Sequence, residues 1–263
     1  MKSTETLKVE VIQQHILVVT LNRPEAANAF NTQMARDIID LFESLTLETN
    51  DLRVVVVTGS GERAFCAGGD LKERNGMTDE AWFAQHLVYE RMLRAVLACP
   101  LPTLGAINGA AFGGGCELAC ALDFIYVSDN ARFAQTEVRL GIIPGAGGTQ
   151  TLARAVGERR AKELILTGRT FTATEALEWG LANELWPQKE ILEKTLATAS
   201  TIAANAPIAV RQALQSISKG IQLSLSDGLA FEIEAYNRTI HTEDRREGVM
   251  AFNEKRQPDF KGR

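Results

Sequence analysis

Two glutamates stand in glycine-rich surroundings that could give a carboxylate chemical work. Glu117 follows the triplet Gly113-Gly114-Gly115 within the stretch Asn108 to Asp123 and leads into an apolar run. Three glycines, a carboxylate and then apolar residues read as a backbone-exposing turn feeding the N-terminus of a buried helix. Such a turn presents free N–H groups at the positive end of a helix dipole, a site for negative charge, whether a bound anion or one developing during a reaction. Taken alone, Glu117 could equally be an acid that stabilises the dipole by roughly 0.3–1 kcal/mol. Glu137 lies in a second stretch of the same style, Phe133 to Gly148, which ends Pro-Gly-Ala-Gly-Gly. Two carboxylates near apolar, glycine-rich backbone form an acid/base pair if the fold brings them together, because burial and mutual repulsion push their pKa values apart.

The elements around these stretches alternate. Leu7 to Ile12 and Ile16 to Leu21 are β-branched and apolar and read as a hairpin. A loop runs from Asn22-Arg-Pro24 to about Asn28, and Asn31 caps a helix to Leu47 whose apolar positions recur at helical spacing. Arg53 to Thr58 has the wholly apolar centre of a strand covered on both faces. It ends in a glycine turn, and Ala64-Phe-Cys-Ala-Gly-Gly-Asp70 follows. Gly68-Gly69 is either an ordinary strand-to-helix turn or a second place where N–H groups face a ligand. A helix from about Thr78 to Ala98 stops at Pro100 and Pro102, and Thr103 to Ile107 is another buried strand. Short strands at Phe124 to Val127 and Ala131 to Ala134 complete an α/β pattern with much parallel pairing. Beyond Gly148 the pattern is helical. A boundary near Leu185 to Pro187 divides a core, 1–186, from a C-terminal all-helical region, 187–263.

Composition excludes several classes. The 263 residues, 45% hydrophobic and 23% charged, suit a water-soluble chain with a substantial core. A net charge of −5 argues against a nucleic-acid surface, which needs clustered Lys and Arg. The N-terminal Met1 to Thr6 lacks a signal core, and no apolar run approaches the roughly 18 residues of a membrane span, so a cytoplasmic location is expected. Cys66, Cys99, Cys116 and Cys120 form neither a CxxC pair nor a metal set and read as buried reduced thiols. His15, His86 and His241 are scattered, and none is assigned to catalysis. Gly145-Ala-Gly-Gly148 lacks the spacing of a dinucleotide fingerprint, and no Walker A, HExxH or GxSxG sequence occurs.

Several segments in order, Leu-Asn-Arg-Pro24, Ala-Phe-Cys-Ala-Gly-Gly-Asp70, Gly-Gly-Gly-Cys-Glu117, Gln-Thr-Glu137, Asp-Arg-Arg-Glu-Gly248 and Phe-Asn-Glu-Lys-Arg256, resemble the enoyl-CoA hydratase (crotonase) family over essentially the whole chain. The resemblance implies a ββα spiral core with a C-terminal helical trimerisation region, assembled as a trimer or as a hexamer of two trimers. It implies that the N–H groups of Gly69 and Gly114 hold the thioester oxygen, although many hydratases carry Ala at the first position. Glu117 would activate the water that adds to C3 of a trans-2-enoyl thioester, and Glu137 would supply the proton at C2. Coenzyme A, part of the substrate and no separate cofactor, would be met by backbone around Glu25 to Ala27 and by Ala67, Gly68, Asp70 and Leu71. Phe252 and Lys255 match positions that in relatives reach a neighbouring subunit's nucleotide. No metal is implied.

Retention of both glutamates favours hydration over isomerisation. The motifs are especially similar to methylglutaconyl-CoA hydratases of leucine breakdown, with short-chain enoyl-CoA hydratases close behind. A carboxylated acyl group requires a cation in its pocket, for which Arg74, Arg139 and Arg154 are candidates. RNA binding, known in one such hydratase with a lysine-rich helix, is disfavoured because Arg36 to Arg53 carries five acids against those two arginines.

Overall fold

The strand Val54–Gly59 is buried at every residue, and the fold is explained by what must cover its two faces. The computed structural model describes residues 2–263; Met1, counted in the expected core region, lies outside them. The chain opens with the hairpin β1 (Leu7–Ile12) and β2 (Ile16–Leu21), then α1 (Thr32–Leu47), β3 (Val54–Gly59) and β4 (Ala64–Cys66). A single turn α2 (Leu71–Arg74) and the long α3 (Asp79–Leu97) precede β5 (Thr103–Ile107), β6 (Ala110–Phe112), α4 (Gly114–Ala121), β7 (Phe124–Ser128) and β8 (Arg132–Ala134). A 3₁₀ turn at Glu137–Leu140 leads to α5 (Gly148–Val156), α6 (Glu158–Thr167), β9 (Phe171–Thr172), α7 (Ala173–Glu178) and β10 (Glu184–Trp186). Four helices finish the chain: α8 (Ile191–Ala203), α9 (Pro207–Gly220), α10 (Leu225–Ile240) and α11 (Glu243–Glu254).

The strands make two sheets, in the orders β1-β2-β3-β5-β7-β10 and β4-β6-β8-β9. Only β1–β2 and β8–β9 pair antiparallel. Each successive unit sends its first strand (β3, β5, β7) to the large sheet and its second (β4, β6, β8) to the small one. This repeated ββα arrangement is the spiral core that the resemblance implies. The second strands, only three residues each, are too short to show a period in the sequence.

Side chains alternate across β2 and β3. Leu17, Val19, Val55 and Val57 face the main core, while Ile16, Val18, Val54 and Val56 face the other way. That second face is covered by α8 through Ile191, Ala199 and Ala203. The helix α8, although it lies past the expected boundary at residues 186 and 187, packs on the sheet of the body. Its small residues allow a helix to lie close on a β-branched surface, and that packing is invisible in helical periodicity alone. The helices α9 and α10 pack on each other and bury little else, with Ala235 the one fully buried residue of the two. Among the described residues no helix is long and apolar enough to cross a membrane.

Because α8 closes the outer face of β3, Ile191→Ala should cost about 2–4 kcal/mol in a urea titration, moving the midpoint of the main transition without changing its slope. A separate C-terminal module would instead leave that transition in place.

Candidate active site

The strands β4 and β6 are parallel neighbours in the small sheet, and each runs straight into a glycine turn. The two turns touch. Gly68 has φ +90°, and a Cβ there would lie 2.7 Å from the Phe112 carbonyl oxygen and 3.0 Å from the Gly114 nitrogen. A Cβ on Gly114 would sit 2.3 Å from Cζ of Phe30. Phe30 bridges to the first turn, its N–H donating to Gly68 O at 2.9 Å and its carbonyl accepting from Asp70 N at 3.0 Å. The intervening Gly69 N–H is left out of the bridge. Gly114 is the first residue of α4, where an N–H has no intrahelical acceptor. Among the described residues neither N–H donates to any protein group.

Glu117, in the first turn of α4, is 3% exposed. Its Oε1 accepts two backbone hydrogen bonds of 2.8 Å, from Ala146 N and Gly148 N. Burial raises its pKa, and those two N–H groups oppose the rise. Glu137 begins the 3₁₀ turn and is 8% exposed. Burial, with the nearby Glu117 charge adding to it, pushes its carboxyl up to about 7 against the opposing backbone N–H groups of Glu137 and Thr136. Turned with its nitrogen inward, the Gln135 amide lies 3.2 Å from both Glu137 oxygens. The two carboxylates thus differ in kind: Glu117 is held by fixed donors as an acceptor, whereas Glu137 takes a proton near neutrality.

The loop before α1 is fastened to the same turns. Buried Asn28 donates to Ser60 O and Ala64 O, both at 2.9 Å, and Ala67 N donates to Ala27 O at 3.0 Å. Asp70 accepts from Lys72 N and Glu73 N, and its Oδ2 pairs with Arg23 at 2.9 Å. Although burial pushes the Asp70 carboxyl up, the Arg23 hydrogen bond and the two N–H groups hold it below its usual value.

One cavity of about 580 Å³ collects Ala67, Gly68, Gly69, Leu71, Gly114, Glu117 and Glu137. Asp70, Glu25 and Ala27 lie outside its lining; Asp70 works as a cap and ion-pair partner, and Glu25 projects into solvent. Phe252 and Lys255 lie at the end of α11, exposed and away from the cavity of their own chain. Of the three candidate cations only Arg74 lines the cavity. Arg139 and Arg154 are exposed and bond to Thr167 O and Gln150 instead.

The sequence points to the segment from Arg74 to Tyr89 and to the C-terminal helices for the acyl pocket without naming its walls; the cavity is lined by Trp82, His86 and Tyr89 of α3 and by Phe30 of the loop before α1, and among the described residues by none of the C-terminal helices. Phe30 and Tyr89 meet edge to face, with ring centroids 4.8 Å apart. Trp82, Gln85 and Tyr89 recur at helical spacing, and that mixed aromatic and polar stripe on an otherwise amphipathic helix is the signal that could have found them. Burial pushes the Cys66 and Cys99 thiols up to about 12, which disfavours the reactive thiolate at both. Among the described residues no cluster of His, Cys, Asp and Glu is placed to hold a metal ion.

This fold and site define an acyl-CoA enzyme of the crotonase type, and comparison with known proteins agrees. The profile of the enoyl-CoA hydratase/isomerase family matches residues 11–263, and the chain belongs to that family. YngF of Bacillus subtilis, named for enoyl-CoA hydratase/isomerase, is 44% identical over 98% of this chain and 99% of its own. The 2,3-dehydroadipyl-CoA hydratase of Escherichia coli is 40% identical over 95% and 97%. The crystal structure of an enoyl-CoA hydratase from Bacillus anthracis, 44% identical, superposes with a TM-score of 0.96 over 98% of this chain and 100% of that one.

The backbone contacts separate the two glycines of the first turn. Gly68→Ala, with a forbidding φ and a backbone oxygen in the way, should lose several degrees in Tm together with its activity. Gly69→Ala should fold normally, since its Cβ would make only van der Waals contacts, with the Tyr89 ring at 3.4 Å and with Arg74 and Phe30 at 3.9 Å.

Burying Glu137 has a pH signature. Its carboxyl titrates at about 7 folded against 4.5 as the reference value. Between those pH values the folded state keeps a proton that the unfolded state has released, so the stability penalty grows as pH rises and is complete above 7. Glu137→Gln should therefore gain on the order of 3 kcal/mol at pH 8 and almost nothing at pH 4.5, as read by thermal melts across that range.

Proposed function

We propose that Gly69, Gly114, Glu117 and Glu137 are the groups that perform the hydration. The observation carrying this reading is that two unpartnered N–H groups and two unlike carboxylates, drawn from three stretches of the sequence, line one cavity. The two N–H groups receive the thioester oxygen and stabilise the charge that develops on it as water adds. Glu117, its Oε1 held by two N–H donors, takes a proton from the water as the oxygen bonds to C3. Glu137, protonated near neutrality, delivers its proton to C2. The pair then exchanges one proton through solvent, and the site is reset.

The same chemistry serves a short straight-chain substrate and the branched 3-methylglutaconyl thioester of leucine breakdown. A CoA moiety would lie along the backbone of Ala27 and of Ala67 to Leu71, outside the carboxylate pair. Exposed apolar residues on α9 to α11, including Leu225 (81% exposed) and Phe252 (83%), support a homo-oligomer built through these helices, a trimer or a pair of trimers. Phe252 and Lys255 would then face a neighbouring subunit. The four free cysteines support a cytoplasmic location.

Loss of conjugated-thioester absorbance from crotonyl-CoA tests the assignment. Glu137→Gln should lower kcat by about 10²–10⁴, as should Glu117→Gln, with folding retained. For the unmodified enzyme, kcat/KM for hydration should fall as pH rises through about 7, because the productive form of Glu137 is the acid. Undiminished turnover in either variant would remove that residue from the mechanism.

A further inference from the structure

Arg74 is the cation of the cavity; Glu73 stands near enough to favour its charge, but among the described residues no carboxylate comes within ion-pair distance of it. Its guanidinium stacks over Trp82 at 4.1 Å and Tyr89 at 5.0 Å from the ring centroids. The one hydrogen bond it makes among the described residues is from Nε to Gln85 Oε1, at 2.8 Å. Gln85 is 5% exposed and fully committed, since its Nε2 donates to Thr32 Oγ1 and to Glu73 Oε2, each at 2.8 Å. Glu73, the nearest acid in sequence, is itself taken up by Gln85 and by Thr32 N, at 2.9 Å. Asp79, at the exposed rim, does not approach within ion-pair distance either, and no ion pair to Arg74 exists among the described residues. Among the described residues neither Nη is in hydrogen-bonding geometry with a protein acceptor, although the Tyr89 hydroxyl is close enough to favour the charge.

The position is as informative as the lack of a partner. The guanidinium carbon lies 3.9 Å from where a Cβ on Gly69 would be. Its charge therefore stands near the Gly69 turn, on the side walled by Trp82 and Tyr89 of α3. Partial burial of this cation disfavours its charged form, a cost that aromatic faces and one amide offset only in part. A guanidinium held at Nε presents its two Nη groups as an end-on fork, the geometry that matches a carboxylate.

We propose that Arg74 binds a carboxylate at the far end of the acyl chain, making the preferred substrate the 2-enoyl-CoA thioester of a short dicarboxylic acid. The assignment rests on the thioester seating at Gly69 and Gly114, as in the hydratase reading. Gln85 is the positioning residue that aims the fork.

Saturated ligands separate this proposal from the chemistry. Dissociation constants for glutaryl-CoA, butyryl-CoA and free CoA should be measured by calorimetry on the full-length enzyme and on Arg74→Met and Arg74→Lys, each checked for folding by circular dichroism. The unmodified enzyme should bind glutaryl-CoA about 10- to 100-fold more tightly than butyryl-CoA. That ratio should collapse toward one in Arg74→Met and be intermediate in Arg74→Lys, which keeps a charge without the fork. Equal affinities for the two acyl-CoAs in the unmodified enzyme would overturn the proposal. So would a variant that weakens all three ligands alike, the result expected of a phosphate contact or a structural pillar. Crotonyl-CoA turnover, followed in parallel on the unmodified enzyme, reports on hydration alone; its failure would sink the hydratase mechanism and leave the binding ratio to judge Arg74.

Discussion

Everything chemical in this molecule depends on two backbone turns being allowed to touch. The ends of β4 and β6 meet with the peptide groups of residues 67–69 and 112–115 in contact, so close that a Cβ on Gly115 would come within 2.0 Å of the Cys66 carbonyl oxygen. No side chain can be interposed, and that is why a run of glycines stands where a strand turns into a helix. The same closeness leaves two N–H groups with no protein acceptor, since the turns are tied through the groups on either side of them, by Phe30 to the first and by α4 to the second. Unpaired donors of this kind cost stability in a dry interior. Here they face a cavity, where solvent or a ligand oxygen can take them.

The carboxylates extend the same logic from backbone to charge. Burying two acids within electrostatic reach of each other penalises the state in which both are ionised, and the fold resolves the conflict unequally. The turn at Ala146 to Gly148 aims two N–H groups at Glu117, while Glu137 meets weaker support and rises toward neutrality. A less strained arrangement would pair each acid with a cation and make a more stable, inert protein. The apolar body around the site, above all β3 and the helices on its two faces, supplies the stability that permits the difference.

Much of this was legible in the residues. The runs Ile16 to Leu21, Arg53 to Thr58 and Thr103 to Ile107 carry enough β-branched or apolar character to declare buried strands, and Asn31 caps α1 as its type predicts, accepting from Met34 N at 2.9 Å. The glycine turns were visible because only glycine explains them. Of the small sheet only β8 was, as the run Ala131 to Ala134; strands of two or three residues hold less than two periods of alternation, and their pairing is wholly non-local. The place of α8 was hidden for a different reason: its alanines say that something packs closely, but not which face of which sheet. The segment from Arg74 to Tyr89 could be assigned to the pocket, but not its individual walls, because Trp82, His86 and Tyr89 satisfy an amphipathic pattern equally well whether they face a core or a substrate.

The hydrogen bond from Arg74 to Gln85 links these observations. Arginine is long and mobile, and the cavity it enters holds two carboxylates. Were the guanidinium to swing across and pair with Glu137, the attraction would lower that carboxyl by one to three units, by the usual measure of such pairs, and the group would cease to hold a proton near neutrality. Charge on Arg74 is absent from the influences that set the Glu137 pKa, where burial comes first and Glu117 adds to it. Gln85 prevents the collapse by fixing Nε while remaining neutral, and its own nitrogen is tied to Thr32 and Glu73, so it cannot follow the arginine. A carboxylate in place of Gln85 would hold the arginine more strongly but would neutralise it, and the cavity would lose its free positive charge. An amide keeps the cation both in place and unspent, at one end of a cavity whose other end requires an acid.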